Sequence, residues 1–316
     1  MPHVIYNGSA VGYHKPLTRQ MAAEHIVRRL ASTPEVPRTI KNGDGTMTQL
    51  IGAICENGKK VITLSDRMVS TGDMTLAFEH PRMKAVAISQ RSVVMTAGTV
   101  HEPDLLRQAK ERAKGKDRIV EIADVLKEVY QEFREEHVVD EVLRPLAGIK
   151  SFAEWHGKQR SLHDGLVMDL NQSIANYRLG LSLLLAGVDK IGHLIRIDDP
   201  GAYRSYDNLS YCCIGMGDRH ADNVFAWYKY SSAFPLTEAL YIGFEAKKRA
   251  EMAGGVGRST DILLIEESGI KEITPDIVNT LEEIYHDRES RSERTGFDDR
   301  ITDLKIQTRE LESTQD

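Results

Sequence analysis

The chain has 316 residues, of which 41% are hydrophobic and 28% are charged, and its formal net charge is −6. This composition is typical of a globular protein, and the negative charge argues against nucleic acid or an anionic membrane surface as the main partner. Because no run of about 18 uncharged apolar residues occurs, no transmembrane helix is predicted. The three cysteines are an odd number, which favours reduced thiols in the cytoplasm over a disulfide framework.

The N-terminal stretch, residues 1–47, is predicted to be an extension or propeptide that contains one helix. The helix is predicted over residues 18–31, where Thr18 can act as the N-cap and apolar side chains recur on one face. Pro34 and Pro37 follow and end it. Two interpretations are open: a helix that packs on the surface of the domain, or a propeptide that assists folding.

Two β-hairpins are predicted next. An apolar run over 50–55 and a β-branched run over 61–64 are joined through an Asn-Gly dipeptide, which is a strong hairpin signal. The runs 83–89 and 92–96 form a second pair across a short turn. Four short strands so close together predict one antiparallel sheet at the start of the domain.

The ends of these strands carry four residues that define a candidate catalytic site: Thr48, Asp66, Lys84 and Gly98. A threonine hydroxyl is a weak nucleophile and needs a base. If Thr48 were the first residue of a processed chain, its own α-amine, with a reference pKa of about 7.7–8.0, would suit that role. Lys84 would then favour loss of the proton, Asp66 would hold Lys84 in place, and the Gly98 N–H would bind the developing oxyanion.

The rest of the chain alternates between pairs of helices and pairs of strands. Helices are predicted over 101–114, 119–137, 222–230, 236–253 and 276–286, and strands over 182–189, 193–198, 205–214 (a pair), 261–266 and 269–273. A doubly wound parallel sheet is excluded, because it would need single strands and helices to alternate. The order predicts an α+β fold, a four-layer αββα sandwich with antiparallel sheets, over residues 48–286.

Two further segments are predicted without a regular role. Residues 287–316 are strongly polar and are predicted to form a mobile or solvated C-terminal tail. His156 and His163 are seven residues apart, which would suit metal ligands on one helical face, but such histidines are more often surface or boundary residues, and Gly157 between them weakens the pairing. Neither a metal nor a cofactor is predicted.

Four motifs occur in a fixed order in the stretch 45–98: Thr48-Gln49-Leu50-Ile51-Gly52, Asp66-Arg67, Met83-Lys84-Ala85-Val86 and Thr96-Ala97-Gly98. Together they resemble the start of a proteasome-type β subunit, in the N-terminal nucleophile hydrolase family. The resemblance implies a threonine peptidase that cleaves peptide or amide bonds after autocatalytic removal of residues 1–47.

The resemblance also implies features around the site. Thr48 would be the nucleophile, and Ser70 would line the substrate channel. Residues 138–178 exceed the length usual in the family, which implies an insertion at a subunit contact or over the mouth of the site. Partners would be peptide or protein substrates, further copies in a ring or dimer, and an ATPase.

The chain departs from the family pattern at supporting positions. Met216, Ala250 and Ala253 stand where the family has polar side chains, and Thr46, after Gly45, is an alternative first residue to Thr48. Three hypotheses therefore stay open: a threonine hydrolase, a non-catalytic ring subunit whose 18–31 helix packs between subunits or guards an entry, and an amidase or amide-forming enzyme on the same fold.

Overall fold

A computed structural model of the chain describes residues 48–70, 77–80, 83–98, 102–291, 301 and 303–310. They all belong to one compact unit, Gly45–Asp316. The unit combines helices with antiparallel sheets, as the predicted α+β class requires. The predicted N-terminal extension and its helix lie outside the described residues.

The strands in chain order are β1 Gln49–Cys55, β2 Lys60–Ser65, β3 Met68–Ser70, β4 Ala77–Glu79, β5 Ala85–Ser89, β6 Ser92–Ala97, β7 Ser182–Val188, β8 Gly192–Asp198, β9 Ala202–Ser205, β10 Tyr211–Gly215, β11 Asp261–Glu266, β12 Gly269–Ile273 and β13 Thr308–Glu310. The predicted Asn-Gly link between the first two is confirmed: Asn57 and Gly58 have φ values of 57° and 85°. Asn and Gly are the residues that adopt this left-handed backbone at least cost.

The α-helices are α1 Glu102–Arg112, α2 Ile119–Val138, α3 Arg144–Ala147, α4 Phe152–Lys158, α5 Asp164–Asn176, α6 Asp218–Trp227, α7 Leu236–Ala250 and α8 Pro275–Arg291. Short 3-10 segments cover Glu56–Gly58 and Gln159–Ser161, and a π-helical turn covers Val139–Leu143. Within the described part of the chain, no helix has the length and apolarity needed to cross a membrane.

The long strands form two antiparallel sheets. The first sheet has the order β10-β1-β2-β11-β12-β13, and the second has the order β5-β6-β7-β8-β9. Strands β3 and β4, which lie between β2 and β5 in the sequence, form a separate two-stranded ribbon. The predicted single sheet for the first four strands is therefore wrong, because β1–β2 and β5–β6 belong to different sheets.

Three apolar clusters hold these elements together. One lies between the first sheet and helices α6, α7 and α8, and a second lies between the other sheet and helices α1 and α2. The third contains residues of both sheets, including Leu50, Val93 and Leu184. Burial of these faces is the main favourable term in the fold.

Alternation along β1 decides which way its side chains face. Ile51 and Ala53 belong to the cluster under the helices, whereas Leu50 and Ile54 belong to the cluster between the sheets. Because successive side chains of a strand point to opposite faces, Thr48 is on the side of Leu50 and faces the second sheet.

The segment 138–178, predicted as an insertion, is mostly helical. It has its own apolar cluster, centred on Trp155 and Leu170. Helix α4 begins at an N-cap, where the Ser151 hydroxyl accepts a hydrogen bond from the Glu154 N–H at 3.1 Å.

Two other predictions need correction. The range 205–214 does not contain the expected strand pair: β9 ends at Ser205 and pairs with β8 in the second sheet, and β10 begins at Tyr211 and pairs with β1 in the first. Among the described residues of the predicted polar tail, some are helical, buried or paired in a sheet. Helix α8 continues to Arg291, Ile301 is fully buried, and β13 pairs with β12.

Candidate active site

Three of the four predicted site residues meet at the ends of the two sheets. The Lys84 ammonium donates to the Thr48 hydroxyl at 2.7 Å and to Oδ1 of Asp66 at 2.8 Å. Thr48 directly precedes β1 and Asp66 directly follows β2 in the first sheet, while Lys84 directly precedes β5 in the second. The site therefore exists only when the two sheets face each other.

Asp66 is the buried anchor of this arrangement, and no part of it is exposed. Its Oδ1 also accepts the Gln49 N–H at 2.9 Å, and its Oδ2 accepts the Gly257 N–H at 2.8 Å. A buried carboxylate is tolerated when it is paired and hydrogen-bonded. These donors fix its orientation, and with it the direction in which the Lys84 ammonium points.

Gly98, the fourth predicted residue, directly follows β6. The N–H two residues earlier, at Thr96, donates to the Lys84 carbonyl oxygen at 3.3 Å, which places the end of β6 beside Lys84. Gly98 has φ +151°, and a Cβ atom there would lie 2.4 Å from the Gly180 carbonyl oxygen. Only glycine fits this backbone conformation and this close contact.

The turn at the end of β10 packs directly against Thr48. The Met216 N–H donates to the Thr48 carbonyl oxygen at 3.1 Å. A Cβ atom on Gly215 would lie 1.8 Å from that same oxygen, and one on Gly217 would lie 2.5 Å from Cβ of Ala250. Two of the positions where the chain departs from the family pattern, Met216 and Ala250, therefore lie beside Thr48 or beside its turn.

The remaining predicted residues are only partly described. Ser70 is a backbone partner of Ala77 in the β3–β4 ribbon, but the prediction that it lines a substrate channel concerns a side chain outside the described atoms. Thr46 also lies outside the described residues. His163 caps α5, where its Nδ1 accepts the Gly165 N–H at 3.1 Å.

Sequence reasoning gave no role to a buried ion pair next to the site. The Lys247 side chain is completely buried, and its ammonium donates to Glu251 at 2.5 Å and to the Arg258 carbonyl oxygen at 2.7 Å. Burial lowers the pKa of Lys247, and Glu251 opposes this effect. A lysine among the apolar positions of α7, four residues before a glutamate, is the signal that the sequence offered.

A second ion pair joins the end of β2 to the start of β11, next to Asp66. Arg67 donates to both carboxylate oxygens of Asp261, with Nε 2.9 Å from each, and its Nη2 donates to Oδ1 as well. The hydrogen bond to Asp261 raises the pKa of Arg67. This pair ties the residue after Asp66 to the start of β11.

Comparison with family models gave no match, and no curated protein matches the chain. Any function must therefore be inferred from the arrangement around Thr48. That arrangement consists of a hydroxyl in contact with an ammonium group, which a buried carboxylate and two backbone N–H groups hold in one position.

Proposed function

We propose that this chain is a proteasome-type N-terminal nucleophile hydrolase, in which Thr48 attacks peptide or amide bonds after removal of residues 1–47. The observation that carries the proposal is the 2.7 Å contact between the Thr48 hydroxyl and the Lys84 ammonium. The same ammonium lies 2.8 Å from Oδ1 of Asp66. If Asp66 and Lys84 were ordinary surface charges at strand ends, the carboxylate would be exposed. Instead it is fully buried and linked through the ammonium to the Thr48 hydroxyl by hydrogen bonds.

The chemistry assigns a role to each group. Cleavage before Thr48 would free its α-amine, which has a reference pKa of about 7.7–8.0 and can take the hydroxyl proton near neutral pH. Lys84 would stabilise the negative charge that develops on the Thr48 oxygen, because an ammonium within hydrogen-bond distance favours the anion. Asp66 would keep Lys84 aimed at the nucleophile.

Gly98 would supply the oxyanion donor. It directly follows β6, whose end lies beside Lys84, and its backbone conformation and its close approach to the Gly180 carbonyl suit only glycine. A fixed donor needs no reorganisation when negative charge develops on the substrate oxygen.

The proposal includes the finer fold prediction, an αββα sandwich. Its support is the set of three apolar clusters, one between helices and each sheet and one shared by the two sheets. The proposal also includes a homo-oligomeric ring or dimer in the cytoplasm that acts on peptides or proteins supplied by an ATPase partner. Sedimentation of the purified chain tests its self-association.

A specific observation favours a second candidate, a non-catalytic subunit of such an assembly. The turn of Gly215, Met216 and Gly217 packs on Ala250 without a side-chain hydroxyl or carboxylate from Met216 or Ala250 to hold a free α-amine. An amidase or amide-forming enzyme on the same fold is the third candidate, and it shares the Thr48 mechanism.

Intact mass and turnover of fluorogenic peptides separate these candidates. The hydrolase proposal expects a mature chain that begins at Thr48, activity that is lost in Thr48→Ala, and normal processing and activity in Thr46→Ala. A chain that starts at Thr46 would assign the nucleophile to that residue instead. A stable full-length protein without turnover would favour the structural subunit, and a processed chain that hydrolyses only small amides would favour the amidase.

A further inference from the structure

We propose that Lys247 is a positioning residue for the Thr48 site, and that it acts by holding the loop whose Gly257 N–H orients Asp66. The inference rests on the proposed hydrolase function and adds a residue that the four predicted positions do not include. Lys247 touches neither Thr48 nor Lys84 in any contact described above; its effect would pass through residues 257–259 and Asp66.

The burial of Lys247 indicates a specific role. No part of its side chain is exposed, and its ammonium has two close acceptors, Glu251 at 2.5 Å and the Arg258 carbonyl at 2.7 Å. A buried ammonium is unfavourable unless it is paired and hydrogen-bonded. An apolar residue of similar size would fill the same space in α7 without that cost, but it could not donate to the Arg258 carbonyl. The hydrogen bond to the loop is therefore a contact that the lysine adds.

Four backbone groups of residues 257–259, in the loop after α7, have described hydrogen-bond partners. The Gly257 N–H donates to Asp66 Oδ2 at 2.8 Å, and the Arg258 carbonyl accepts from Lys247. Glu79 accepts the N–H groups of Arg258 at 2.8 Å and Ser259 at 3.2 Å. Of these residues Gly257 is buried, whereas Arg258 and Ser259 are exposed. Backbone hydrogen bonds at successive residues restrict the conformations that the segment can adopt.

The two oxygens of the Asp66 carboxylate bind different partners. Oδ2 is held by the Gly257 N–H, so Oδ1 is left for Gln49 and Lys84. If the loop moved, the carboxylate would turn, and the Lys84 ammonium would lose its direction toward Thr48. A misplacement of about 1 Å in a catalytic group costs up to about a hundredfold in rate.

The charges around this path alternate in sign. Glu79 accepts from the loop, Glu251 pairs with Lys247 and lies 3.0 Å from Lys248, and Lys84 pairs with Asp66. Lys248 therefore offers a matched control. It is a neighbouring lysine on the same helix, bound to Glu251 and to Glu282 at 2.9 Å, but no described contact joins it to the loop.

The test compares Lys247→Met with Lys248→Met in the full chain. The first readout is amide exchange at Gly257, followed by NMR at one pH in protein labelled with 15N-glycine. We expect Lys247→Met to accelerate this exchange by at least about tenfold through local opening, and Lys248→Met to leave it unchanged. This readout needs no turnover, so it decides the inference even if the proposed hydrolase activity is absent.

The second readout is the split between kcat and KM for a fluorogenic peptide. We expect Lys247→Met to lower kcat by about tenfold to a hundredfold with KM unchanged, because the substrate surface stays intact while the Lys84 ammonium is misdirected. A folded Lys247→Met protein with unchanged Gly257 exchange would overturn the inference. If Lys247→Met does not fold, Glu251→Gln takes its place: faster exchange at Gly257 supports the inference, and unchanged exchange overturns it.

Discussion

Nζ of Lys84 lies 2.7 Å from Oγ1 of Thr48, although 36 residues separate them and they belong to strand ends of different sheets. The alternation of β1 turns Thr48 toward the second sheet, and the pairing of β5 with β6 fixes where Lys84 begins. The contact is therefore a direct product of the packing between the sheets, and several substitutions should affect both stability and the proposed chemistry.

Removal of the Lys84 ammonium should affect both. Lys84→Met leaves the fully buried Asp66 with only backbone N–H donors among its described partners. Loss of one member of a buried ion pair typically costs about 3–5 kcal/mol, and the remaining N–H groups place our expectation near the lower limit. Under the proposed function, in which Lys84 stabilises developing negative charge, kcat should fall by about 10² to 10³.

Urea unfolding and peptide turnover measure these two effects. Lys271→Met is the control, because Lys271 pairs with Glu266 at 2.7 Å on a partly exposed hairpin, where such a pair contributes about 1 kcal/mol or less. The double variant with Asp66→Asn should regain part of the lost stability. Equal stability of Lys84→Met and the wild type would show that the pair contributes nothing to folding.

A methyl group on Gly98 should strain the end of β6. With φ at +151° and a Cβ position 2.4 Å from the Gly180 carbonyl oxygen, Gly98→Ala must shift the backbone. We expect a loss of about 1–3 kcal/mol of unfolding free energy, together with lower turnover if the Gly98 N–H binds the oxyanion. Thermal unfolding and kcat are the measurements.

Gly157→Ala is the matched control for Gly98→Ala. Gly157 lies inside α4, and no heavy atom of the residues that the structure describes comes within 4 Å of a Cβ atom placed there. Alanine is favoured over glycine within a helix by about 0.5–1 kcal/mol, so this variant should be slightly more stable than the wild type. If the two variants changed stability equally, the close contact at Gly98 would not be the cause.

His193 should make folding stability depend on pH. It lies between two carboxylates, with Nδ1 2.8 Å from Asp207 and Nε2 3.2 Å from Asp189. The hydrogen bond to Asp207 raises the pKa of His193 above its usual 6.5, against the effect of burial. A raised pKa stabilises the folded state below the unfolded-state value, and this contribution is lost as pH rises through the folded-state pKa.

The two carboxylates affect the pH dependence of folding stability in the opposite direction. Burial alone would raise the pKa of Asp207, but the hydrogen bonds from His193 and the Leu194 N–H lower it below 3.8, and Asp189 is lowered in a similar balance with backbone donors. Their contribution is present above 3.8 and is lost as pH falls further. In urea unfolding, wild-type stability should therefore decline as pH rises above about 6.5, and His193→Asn should remove that part of the decline.

The helical segment 138–178 should open without loss of the site. Trp155 is 1% exposed at the centre of the cluster that joins α4 and α5 to the end of α2. Trp155→Ala should cost about 3–5 kcal/mol within this cluster. Hydrogen exchange should then speed up across residues 152–176, while the amides of β1 and β2 stay protected.

His156→Ala, at the next position of the same helix, is the control for this variant. His156 is exposed, so its truncation should change stability by less than about 0.5 kcal/mol. If Trp155→Ala unfolds β1 and β2 together with α4 and α5, the segment 138–178 unfolds cooperatively with the sheets and the prediction is wrong.

Much of the site could be predicted because its members stand next to local signals. Asn57-Gly58 predicted the hairpin, and runs of apolar and β-branched residues located the strands that begin or end beside Thr48, Asp66 and Lys84. These patterns act over a few residues, where backbone preference and side-chain period decide the conformation. Composition misled at the C-terminus, where a polar segment contains the buried Ile301 and the paired strand β13.

Sequence by itself determined the position of the β1–β2 and β5–β6 hairpins and the residue types available for chemistry. Only the tertiary structure decided that these hairpins belong to two sheets, that Gly257 binds Asp66 across 191 residues, and that Lys247 is buried behind that loop. The reason is physical: the period of a strand fixes which side its residues face, but its partner is chosen by long-range packing of the whole chain.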